Sequence, residues 1–542
     1  MEPPPTAFPR APFWRTRLPA AFIAWIASDF LRAATVNPRP THPAATANQE
    51  VRRAESWSPR YGLRAHAAQV TARMKRALRR LLLALMCVFG GSPLAAAGSV
   101  PQKLNVLLIA VDDLRDSLGC YGNSAVRTPH LDRLAARAVR FDRAYVQYTV
   151  CNPSRSSFLT GLRPDQTGVT DNRTLLRDRI PDVITLPQLL KDDGRQAAAF
   201  GKIFHLGGGR DAALRARWMD LPYSWHTAQT FEATALGRRK LDGRDLSRGK
   251  LAWCHWGAMD GGDDDQPDGQ IARAVIAQIE TLGEKPWVIG AGFMKPHDPF
   301  VAPKAYFDLY PEGSLTLHRP PAGQTPAPPL AVGFGELGAA FTGFTDRERH
   351  EFLRAYYACT SYLDAQVGRV LATLDRLRLW DRTLVIFLGD HGYHLGEREW
   401  WNKNTLFERS CRAPLMIAAP GIRPGVARGL VEFVDLYPTI AELCGLAPPP
   451  QLAGQSLVPL LRDPAAPGKP AAFTVVVRGS NQRGDSIRTE RWRYTRWSDG
   501  ATELYDHAAD PEETRNVASL HASVAAELDR RLPVAVLSSR QR

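Results

Sequence analysis

A cysteine beside a predicted helix start is the first position in this chain whose type and setting could do chemistry. Asn152 suits a helix N-cap, Pro153 suits the first helical position, and Gly161 suits the position after a helix C-terminus. The sequence therefore predicts a short helix over 153–160 with Cys151 just ahead of it. Free backbone N–H groups and the helix dipole favour an anion at that end. The cysteine alone is equally compatible with a low-pKa thiol or a structural role.

A basic residue in the first turn of that helix indicates an anionic partner. Arg155 is unfavourable for the dipole there, so binding a negative group gives it a reason to be present. The Cys-Asn-Pro-Ser-Arg run at 151–155, followed by Leu-Thr-Gly at 159–161, resembles the signature of the type I sulfatases. The resemblance implies that a formylglycine-generating enzyme oxidises Cys151 to formylglycine. It also implies that the hydrated aldehyde is the nucleophile and that Arg155 is a catalytic residue.

Two apolar runs of strand length, 104–111 and 384–388, each lead into carboxylates. Strand ends of this kind are where α/β folds place ligands. Carboxylate oxygens are hard ligands, and calcium accepts a flexible set of several oxygen ligands better than magnesium does. Imidazole suits transition metals better, so the identity of a bound metal stays open, with Ca²⁺ as the first candidate. The resemblance implies one divalent cation, held by Asp112, Asp113, Cys151, Asp390 and His391.

Two lysines and two histidines complete the set of candidate site residues. Lys202 and His205 form a Lys-x-x-His element, His297 ends a Lys-Pro-His segment, and Lys403 ends a Trp-Trp-Asn-Lys segment. The resemblance implies that both lysines bind oxygens of the sulfate group. It further implies that His205 pairs with one hydroxyl of the hydrated aldehyde and that His297 protonates the leaving alcohol.

The resemblance covers about residues 103–517 and is strongest to iduronate-2-sulfatases and their bacterial relatives. The Pro-Tyr-Ser-Trp segment at 222–225 carries much of that similarity. The implied activity is the release of inorganic sulfate from a sulfated saccharide. Three alternatives stay open: a choline sulfatase, a phosphomonoester or phosphonate monoester hydrolase, and a non-catalytic protein that binds sulfated glycans. Trp400 and Trp401 either stack on a sugar ring or pack in the core.

Strand-like runs alternate with helical patterns over residues 98–446, which predicts an α/β catalytic domain with a large sheet flanked by helices. The resemblance implies a mixed sheet of the alkaline phosphatase and sulfatase type. Three prolines at 448–450 mark a linker to a smaller C-terminal α+β subdomain, 447–542, with an antiparallel sheet and a final helix. The predicted strands are 104–111, 286–293, 384–388 and 414–419, and the predicted helices are 129–140, 267–281, 346–379 and 434–444.

The N-terminal part predicts export. Residues 74–97 combine a basic start, an apolar core too short to span a bilayer, and three alanines as a cleavage site, which is typical of a signal peptide. We therefore expect a periplasmic or secreted protein that does not span the membrane after cleavage. Residues 1–73 are interpreted as a gene-start error, with Met74 as the true start, or as a disordered extension.

Charge and cysteine content exclude two other classes of protein. The net charge is +14, but +6 belongs to residues 1–73 and +4 to residues 74–97, so only +4 remains for the other residues. We therefore expect no nucleic-acid partner. The seven cysteines show no Cys-x-x-Cys spacing, which argues against a disulfide scaffold or a zinc site.

Overall fold

The computed structural model describes most of the predicted catalytic domain and C-terminal subdomain, within one compact unit spanning 98–542. The predicted signal peptide at 74–97 and the preceding residues 1–73 lie outside the described residues. The boundary between residues 446 and 447 stays a prediction. The described ranges are 103–209, 211–332, 336–479 and 482–533.

Fifteen strands lie in the described residues and form three sheets. In chain order they are β1 Asn105–Val111, β2 Val139–Tyr145, β3 Gln196–Gly201, β4 Thr227–Gln229, β5 Lys240–Asp242, β6 Trp256–Met259, β7 Trp287–Phe293, β8 Phe300–Pro303, β9 Thr383–Gly389, β10 Leu415–Ala418, β11 Gly425–Glu432, β12 Ala472–Arg478, β13 Gln482–Arg488, β14 Trp492–Trp497 and β15 Thr502–Asp506. The large sheet has the spatial order β11-β2-β10-β9-β1-β7-β3-β4. Strands β5-β6-β8 form a small sheet, and β12-β13-β14-β15 form the C-terminal one.

Seven of the eight strands in the large sheet point the same way. Strand β1 is parallel to both β7 and β9, and β3 is parallel to β7. Only β10 is reversed, because it pairs antiparallel with β9 on one side and with β2 on the other. The predicted mixed sheet flanked by helices is confirmed. The carboxyl ends of the parallel strands consequently share one edge.

The central strand β1 is apolar throughout because both of its faces are buried. Val106 and Leu108 enter one core, which includes residues of the helix that begins at Cys151. Leu107 and Ile109 enter the opposite core, against the helices that cover the other face. Continuous burial of this kind is what an apolar run without alternation predicts.

Helices cover both faces of the large sheet, and the long α10 agrees with the predicted 346–379 apart from its last three residues. In chain order the helices of the described residues are α1 Pro129–Ala135, α2 Cys151–Thr160, α3 Pro164–Thr167, α4 Leu176–Arg179, α5 Leu186–Asp192, α6 Ala212–Trp218, α7 Pro267–Leu282, α8 Lys304–Phe307, α9 Glu336–Thr342, α10 Asp346–Arg376, α11 Glu408–Cys411, α12 Leu436–Leu443, α13 Val458–Arg462 and α14 Ala522–Arg531. Short 3₁₀ turns lie at Gly119–Tyr121, Asp263–Asp265, Trp380–Arg382, Glu397–Glu399 and Phe433–Asp435.

Two helix predictions were wrong at their ends. The helix predicted over 129–140 ends at Ala135, and the chain then enters β2, where Val139 and Phe141 are buried while Arg140 between them is half-buried. That alternation has the period of a strand, not of a helix.

The helix predicted over 153–160 begins two residues earlier, at Cys151, with Val150 in the extended conformation ahead of it. Asn152 does not cap this helix. Its side-chain amide donates to the carbonyl groups of Asp171 and Thr174, at 2.8 Å each. The C-terminal signal was correct, because Gly161 ends the helix with a left-handed φ of 68°.

The C-terminal sheet is antiparallel, as the sequence predicted. The sequence predicts short strands over 473–478 and 491–497, and β12 and β14 match them within one residue, whereas β13 and β15 were not predicted. Among the described residues, no helix combines the length and the apolar character that crossing a bilayer requires. The six cysteines in the described ranges are free thiols.

Two glycines allow the ends of β3 and β7 to lie close together. A Cβ added at Gly292 would lie 2.2 Å from the carbonyl carbon of Lys202. A Cβ added at Gly201, whose φ is +79°, would lie 2.1 Å from the carbonyl oxygen of Gly292. The absence of side chains at these glycines therefore sets the position of the segment that carries Lys202.

Replacing Gly292 by alanine should push β3 and β7 apart at this edge. We expect Gly292→Ala to lower the free energy of unfolding by about 1–3 kcal/mol, as overpacking does elsewhere. Urea denaturation of the purified protein measures the change. Gly262→Ala is the matched control, because nothing lies within 4 Å of its added Cβ. Equal stability of the two variants would contradict a close approach of β3 and β7 that depends on Gly292.

Candidate active site

The candidate site residues gather at the edge of the large sheet where its parallel strands end. The connection after β2 leads to Cys151 at the start of α2, and the loop after β9 extends to Lys403. Arg155 lies in the first turns of α2. The other candidates lie just after the ends of four strands: Asp112 and Asp113 after β1, Lys202 and His205 after β3, His297 after β7, and Asp390 and His391 after β9.

Cys151 is fully buried between a lysine and a histidine. Its Sγ lies 3.3 Å from Nζ of Lys403, 3.5 Å from Nε2 of His391 and 3.9 Å from Oδ1 of Asp113. Burial, reinforced by the negative charge of Asp112, holds the pKa of the Cys151 thiol well above its usual range. The unmodified thiol is therefore protonated at neutral pH, and a protonated thiol is a poor nucleophile.

The Arg155 guanidinium binds negative and polar groups of the protein itself. Its Nε donates to Oδ2 of Asp390 at 2.9 Å, and its Nη2 donates to Oδ1 of Asp112 at 3.2 Å. Its Nη1 donates to the carbonyl oxygens of Lys202 and Ile203. The anionic partner that the sequence indicated is thus a pair of carboxylates. Arg155 also fixes the loop after β3.

Two lysines neutralise the Asp pair from opposite sides. Nζ of Lys202 lies 2.5 Å from Oδ2 of Asp112, and Nζ of Lys403 donates to Oδ1 of Asp113. Burial alone would raise the pKa of the Asp112 carboxyl, but Lys202 and the other nearby cations outweigh it and hold that pKa well below its usual range. The pKa of Asp113 is lowered for the same reason, against burial, by the surrounding histidines and Lys403.

The formal charges of this cluster cancel. Three carboxylates face three cationic side chains, all nine-tenths or more buried apart from the partly accessible Lys403. A divalent cation added to the cluster would leave an excess of positive charge. Such an excess suits an anionic substrate in a site with little water. The six side chains are Asp112, Asp113, Asp390, Arg155, Lys202 and Lys403.

Asp113 has a left-handed backbone with φ of 60°, which its neighbours stabilise. Its N–H donates to Oδ1 of Asp390 at 3.0 Å, and its carbonyl oxygen accepts from the Tyr356 hydroxyl at 2.6 Å. Non-glycine residues in this region are uncommon and are often found at active sites. Sequence reasoning missed Tyr356, because it lies inside the helical pattern of α10 with no signal of its own.

The residues present fit a divalent cation. One ligand oxygen from each of Asp112, Asp113 and Asp390 lies within 4.8 Å of the others. Oδ2 of Asp113 is buried without a hydrogen-bond partner in the described residues. Nδ1 of His391 donates to the carbonyl oxygen of Gly392 at 2.9 Å, so the Nε2 lone pair faces the cluster. Burial lowers the pKa of His391, which keeps the ring neutral as a ligand must be.

His297 lies at the accessible side of the cluster, with a quarter of its side chain exposed. Its Nδ1 donates to the carbonyl oxygen of Asp298 at 2.6 Å. Its Nε2 faces inward, 3.8 Å from Oδ2 of Asp112 and 3.9 Å from Oδ2 of Asp113. A carboxylate oxygen of Asp298 also approaches His297 and Asp113. Sequence reasoning missed Asp298, although its position beside His297 was a usable signal.

The loop that carries His297 is tied to the start of α7. The Asp268 carboxylate accepts from the backbone N–H groups of Met294 and Lys295, at 2.8 and 2.9 Å. The Lys295 ammonium donates to the carbonyl oxygens of His297 and Pro299. Burial raises the pKa of Asp268 to about 6. Asp268 and Lys295 therefore position His297 through bonds to the backbone of its loop.

His205 stands apart from the hydrogen bonds of the cluster. Its Nδ1 is buried without a hydrogen-bond partner in the described residues, and its ring packs edge-on against Trp218 at 5.6 Å. Burial and the charge of Lys202 lower the pKa of His205 to about 3, so the ring is neutral. Within the described ranges, no hydrogen bond joins His205 to Cys151.

The aromatic residues that sequence reasoning considered for sugar binding lie mostly in the core. Trp400 and Trp401 are buried, and they pack against Phe341 and Phe352 respectively. Core packing is therefore the correct one of the two alternatives. Trp225, in the Pro-Tyr-Ser-Trp segment, is fully buried as well. The indole of Trp225 therefore packs in the core and is not available to a sugar.

Comparison with known proteins assigns this chain to a class. The family model described as sulfatase matches residues 104–446, and a model for the C-terminal part of N-sulphoglucosamine sulphohydrolase matches residues 396–537. The first match covers more than half of the chain. The chain belongs to the sulfatase family, and it is a sulfatase.

Two sulfatases and the solved structure of another hydrolase are among the proteins similar to this chain. Human iduronate 2-sulfatase is 32% identical, over 81% of this chain and 95% of that protein. The choline-sulfatase of Rhizobium meliloti (strain 1021) is 31% identical, over 77% of this chain and 82% of that protein. The solved structure of a phosphonate monoester hydrolase from Silicibacter pomeroyi is 25% identical with a TM-score of 0.67, over 79% of this chain and 94% of that one. The predicted fold class, the alkaline phosphatase and sulfatase type, is confirmed.

The donor set leads to a prediction about metal binding. After EDTA treatment, added Ca²⁺ or Mg²⁺ should raise the Tm of the wild type, because a ligand at 100 times its Kd stabilises a protein by about 2.7 kcal/mol. Asp113→Asn should abolish this rise, since it removes one carboxylate from the cluster. Asp308→Asn changes an exposed carboxylate paired with Lys304 and is the control that should keep the rise. An unchanged rise in Asp113→Asn would argue against the assigned ligands.

Proposed function

We propose that this sulfatase hydrolyses a sulfate ester of a saccharide and releases inorganic sulfate, with Cys151 in the formylglycine form. The observation that carries the proposal is the position of Cys151, buried at the first turn of α2 within 3.5 Å of Lys403 and His391. An anionic substrate that reaches Cys151 meets the helix N-terminus and the two lysines together. When formed, the hydrated aldehyde supplies a nucleophilic oxygen and a second hydroxyl for release of sulfate.

Lys202 and Lys403 are the residues that bind the sulfate group. Each ammonium contacts a carboxylate of the Asp pair, and the Lys403 ammonium also lies 3.3 Å from Sγ of Cys151. Both are well placed to donate to sulfate oxygens and to neutralise the charge that repels a nucleophile. Arg155 contacts the site through bonds from its nitrogens to Asp112, Asp390 and backbone carbonyls. It orients the carboxylates and the Lys202 loop.

The two histidines move protons. His297 gives a proton from Nε2 to the oxygen of the leaving alcohol when both ring nitrogens are protonated, since Nδ1–H stays bonded to the Asp298 carbonyl. The accessible position of His297 agrees with a leaving group that faces solvent. His205 is neutral and takes the proton from the second hydroxyl of the hydrated aldehyde. Its unpartnered Nδ1 gives it a free acceptor for that proton.

Asp112, Asp113, Asp390, His391 and the modified Cys151 would hold one divalent cation. We propose Ca²⁺, because the donors are mainly carboxylate oxygens that need no strict octahedral arrangement. When bound, the metal supplies positive charge that favours ionisation of the hydroxyl at residue 151 and stabilises charge on the sulfate group. A larger rise in Tm with Mg²⁺ than with Ca²⁺, at equal concentration, would reverse the choice.

The substrate class rests on the relatives. Iduronate 2-sulfatase matches over 95% of its own length, so a sulfated uronic acid residue of a glycosaminoglycan is the first candidate. Choline sulfate and a phosphate or phosphonate monoester are the alternatives, because a choline-sulfatase and a phosphonate monoester hydrolase also match. We further propose export after cleavage following Ala97, and maturation by a formylglycine-generating enzyme. The N-terminal residue of the mature protein tests the cleavage.

The function is tested by a substrate panel on the purified enzyme. We expect turnover of para-nitrophenyl sulfate and a sulfated disaccharide, with much less turnover of para-nitrophenyl phosphate or phenylphosphonate. Cys151→Ala should abolish turnover and keep the Tm of the wild type. Mass spectrometry of the tryptic peptide should find formylglycine at residue 151 of active enzyme. Full activity with an unconverted thiol, or a preference for the phosphorus substrates, would overturn the proposal.

The acid role of His297 predicts a dependence on the leaving group. His297→Ala should lower kcat/KM on a sugar sulfate by about 10²–10⁴, the usual range for loss of a general acid. The loss on para-nitrophenyl sulfate should be much smaller, because a nitrophenolate leaves without protonation. His521→Ala changes an exposed histidine in the C-terminal part and should leave both substrates unaffected. Equal losses on the two substrates would show that His297 is not the acid.

A further inference from the structure

An arginine of the C-terminal sheet reaches across to the loop that carries Lys403. Arg478 is the last residue of β12 and is largely buried, with 8% of its surface exposed. Its Nη2 donates to the carbonyl oxygen of Asn404, the residue after Lys403. Its Nη1 donates to the carbonyl oxygens of Leu330 and Val332. One guanidinium therefore joins the C-terminal sheet to two separate loops.

The backbone beside Lys403 depends on such contacts. Asn404 has a left-handed φ of 67°, which residues with a Cβ rarely adopt. Its N–H donates to the carbonyl oxygen of Thr149 at 3.0 Å, and its own carbonyl accepts from Arg478. The N–H group of Asn404 is thus bonded to the segment that leads into Cys151. Its carbonyl group is bonded to the C-terminal sheet.

The strand that ends at Arg478 is itself fixed to the approach to Cys151. The N–H of Val475 donates to the carbonyl oxygen of Gln147 at 3.0 Å. The Tyr148 hydroxyl donates to the carbonyl oxygen of Val477 at 2.9 Å and accepts from its N–H at 2.7 Å. Strand β12 therefore holds a constant position relative to the start of α2. Through its bond to Asn404, Arg478 holds the Lys403 loop in place relative to β12.

We propose that Arg478 is a positioning residue that sets the Lys403 ammonium against Cys151 and Asp113. The proposal rests on the proposed function only for the role of Lys403 in binding sulfate. The planar guanidinium suits this task, because its separate N–H groups meet carbonyls of two loops at once, which a single ammonium cannot do in the same geometry. The C-terminal sheet thereby takes part in building the active site, although it supplies none of the candidate ligands.

Hydrogen–deuterium exchange tests the positioning without reference to activity. In Arg478→Gln, the peptide that contains residues 400–406 should exchange faster than in the wild type, because the bond that holds Asn404 in place is lost. Arg491→Gln is the matched control, since Arg491 belongs to the same subdomain but pairs with Asp506 at an exposed site. It should leave exchange of that peptide unchanged. Unchanged exchange in a folded Arg478→Gln protein would overturn the proposal.

A double-variant comparison then connects Arg478 to Lys403. Arg478→Gln should lower kcat/KM on para-nitrophenyl sulfate by about 10–100-fold, since a displacement of about 1 Å can cost about 10²-fold. In the Lys403→Ala background, Arg478→Gln should lower kcat/KM almost no further. As a single variant, Arg478→Lys should lose less activity than Arg478→Gln but remain below the wild type. Independent, multiplying losses would show that Arg478 does not act through Lys403. If no variant, including the wild type, hydrolyses a sulfate ester while the exchange result holds, the proposed function fails and the positioning stands.

Discussion

The parallel direction of β1, β3, β7 and β9 is the constraint on which the active site depends. Strands that run in the same direction end at the same edge of the sheet. Residues far apart in the chain therefore come close together without long connecting loops. Asp113 and Asp390 come together in this way although they lie 277 positions apart in the chain, as the bond from the Asp113 N–H to the Asp390 carboxylate shows. Site residues on rigid strand ends hold their geometry better than residues on free loops.

A second constraint follows from the first, because three carboxylates forced together in a buried place must be neutralised. Isolated buried charges are costly, and Arg155, Lys202 and Lys403 meet that cost in the described structure. In the proposed function, the same side chains also take part in the reaction. Two lysines that compensate Asp112 and Asp113 are also the groups best placed for a sulfate, and Arg155 keeps the carboxylates oriented. Stability and function thus use one network, so a substitution in it should affect both.

The C-terminal sheet contributes to the site by positioning the backbone of neighbouring segments. Strand β12 lies along the segment before Cys151, and Arg478 bonds to the carbonyl of Asn404 beside Lys403. Tyr356 has a comparable role for Asp113, and Asp268 has one for the His297 loop. These residues touch no proposed reacting atom. They fix the backbone beside the candidate side chains to packed helices and strands, as preorganised sites require.

Local signals in the sequence were enough for the buried strand β1, the long helix α10, the Gly161 helix end and the identity of the candidate residues around Cys151. Each of these depends on neighbours in the chain, on an unbroken apolar run, or on a motif whose chemistry is specific. Long-range contacts decided the rest. Four features depend on which segments pack together. They are the reversal of β10, the start of β2 inside the last two residues of a predicted helix, the partners of Arg155 and the burial of Trp225. No local pattern encodes that choice, so only the tertiary structure determined that Arg155 meets carboxylates and that a C-terminal arginine reaches the Lys403 loop.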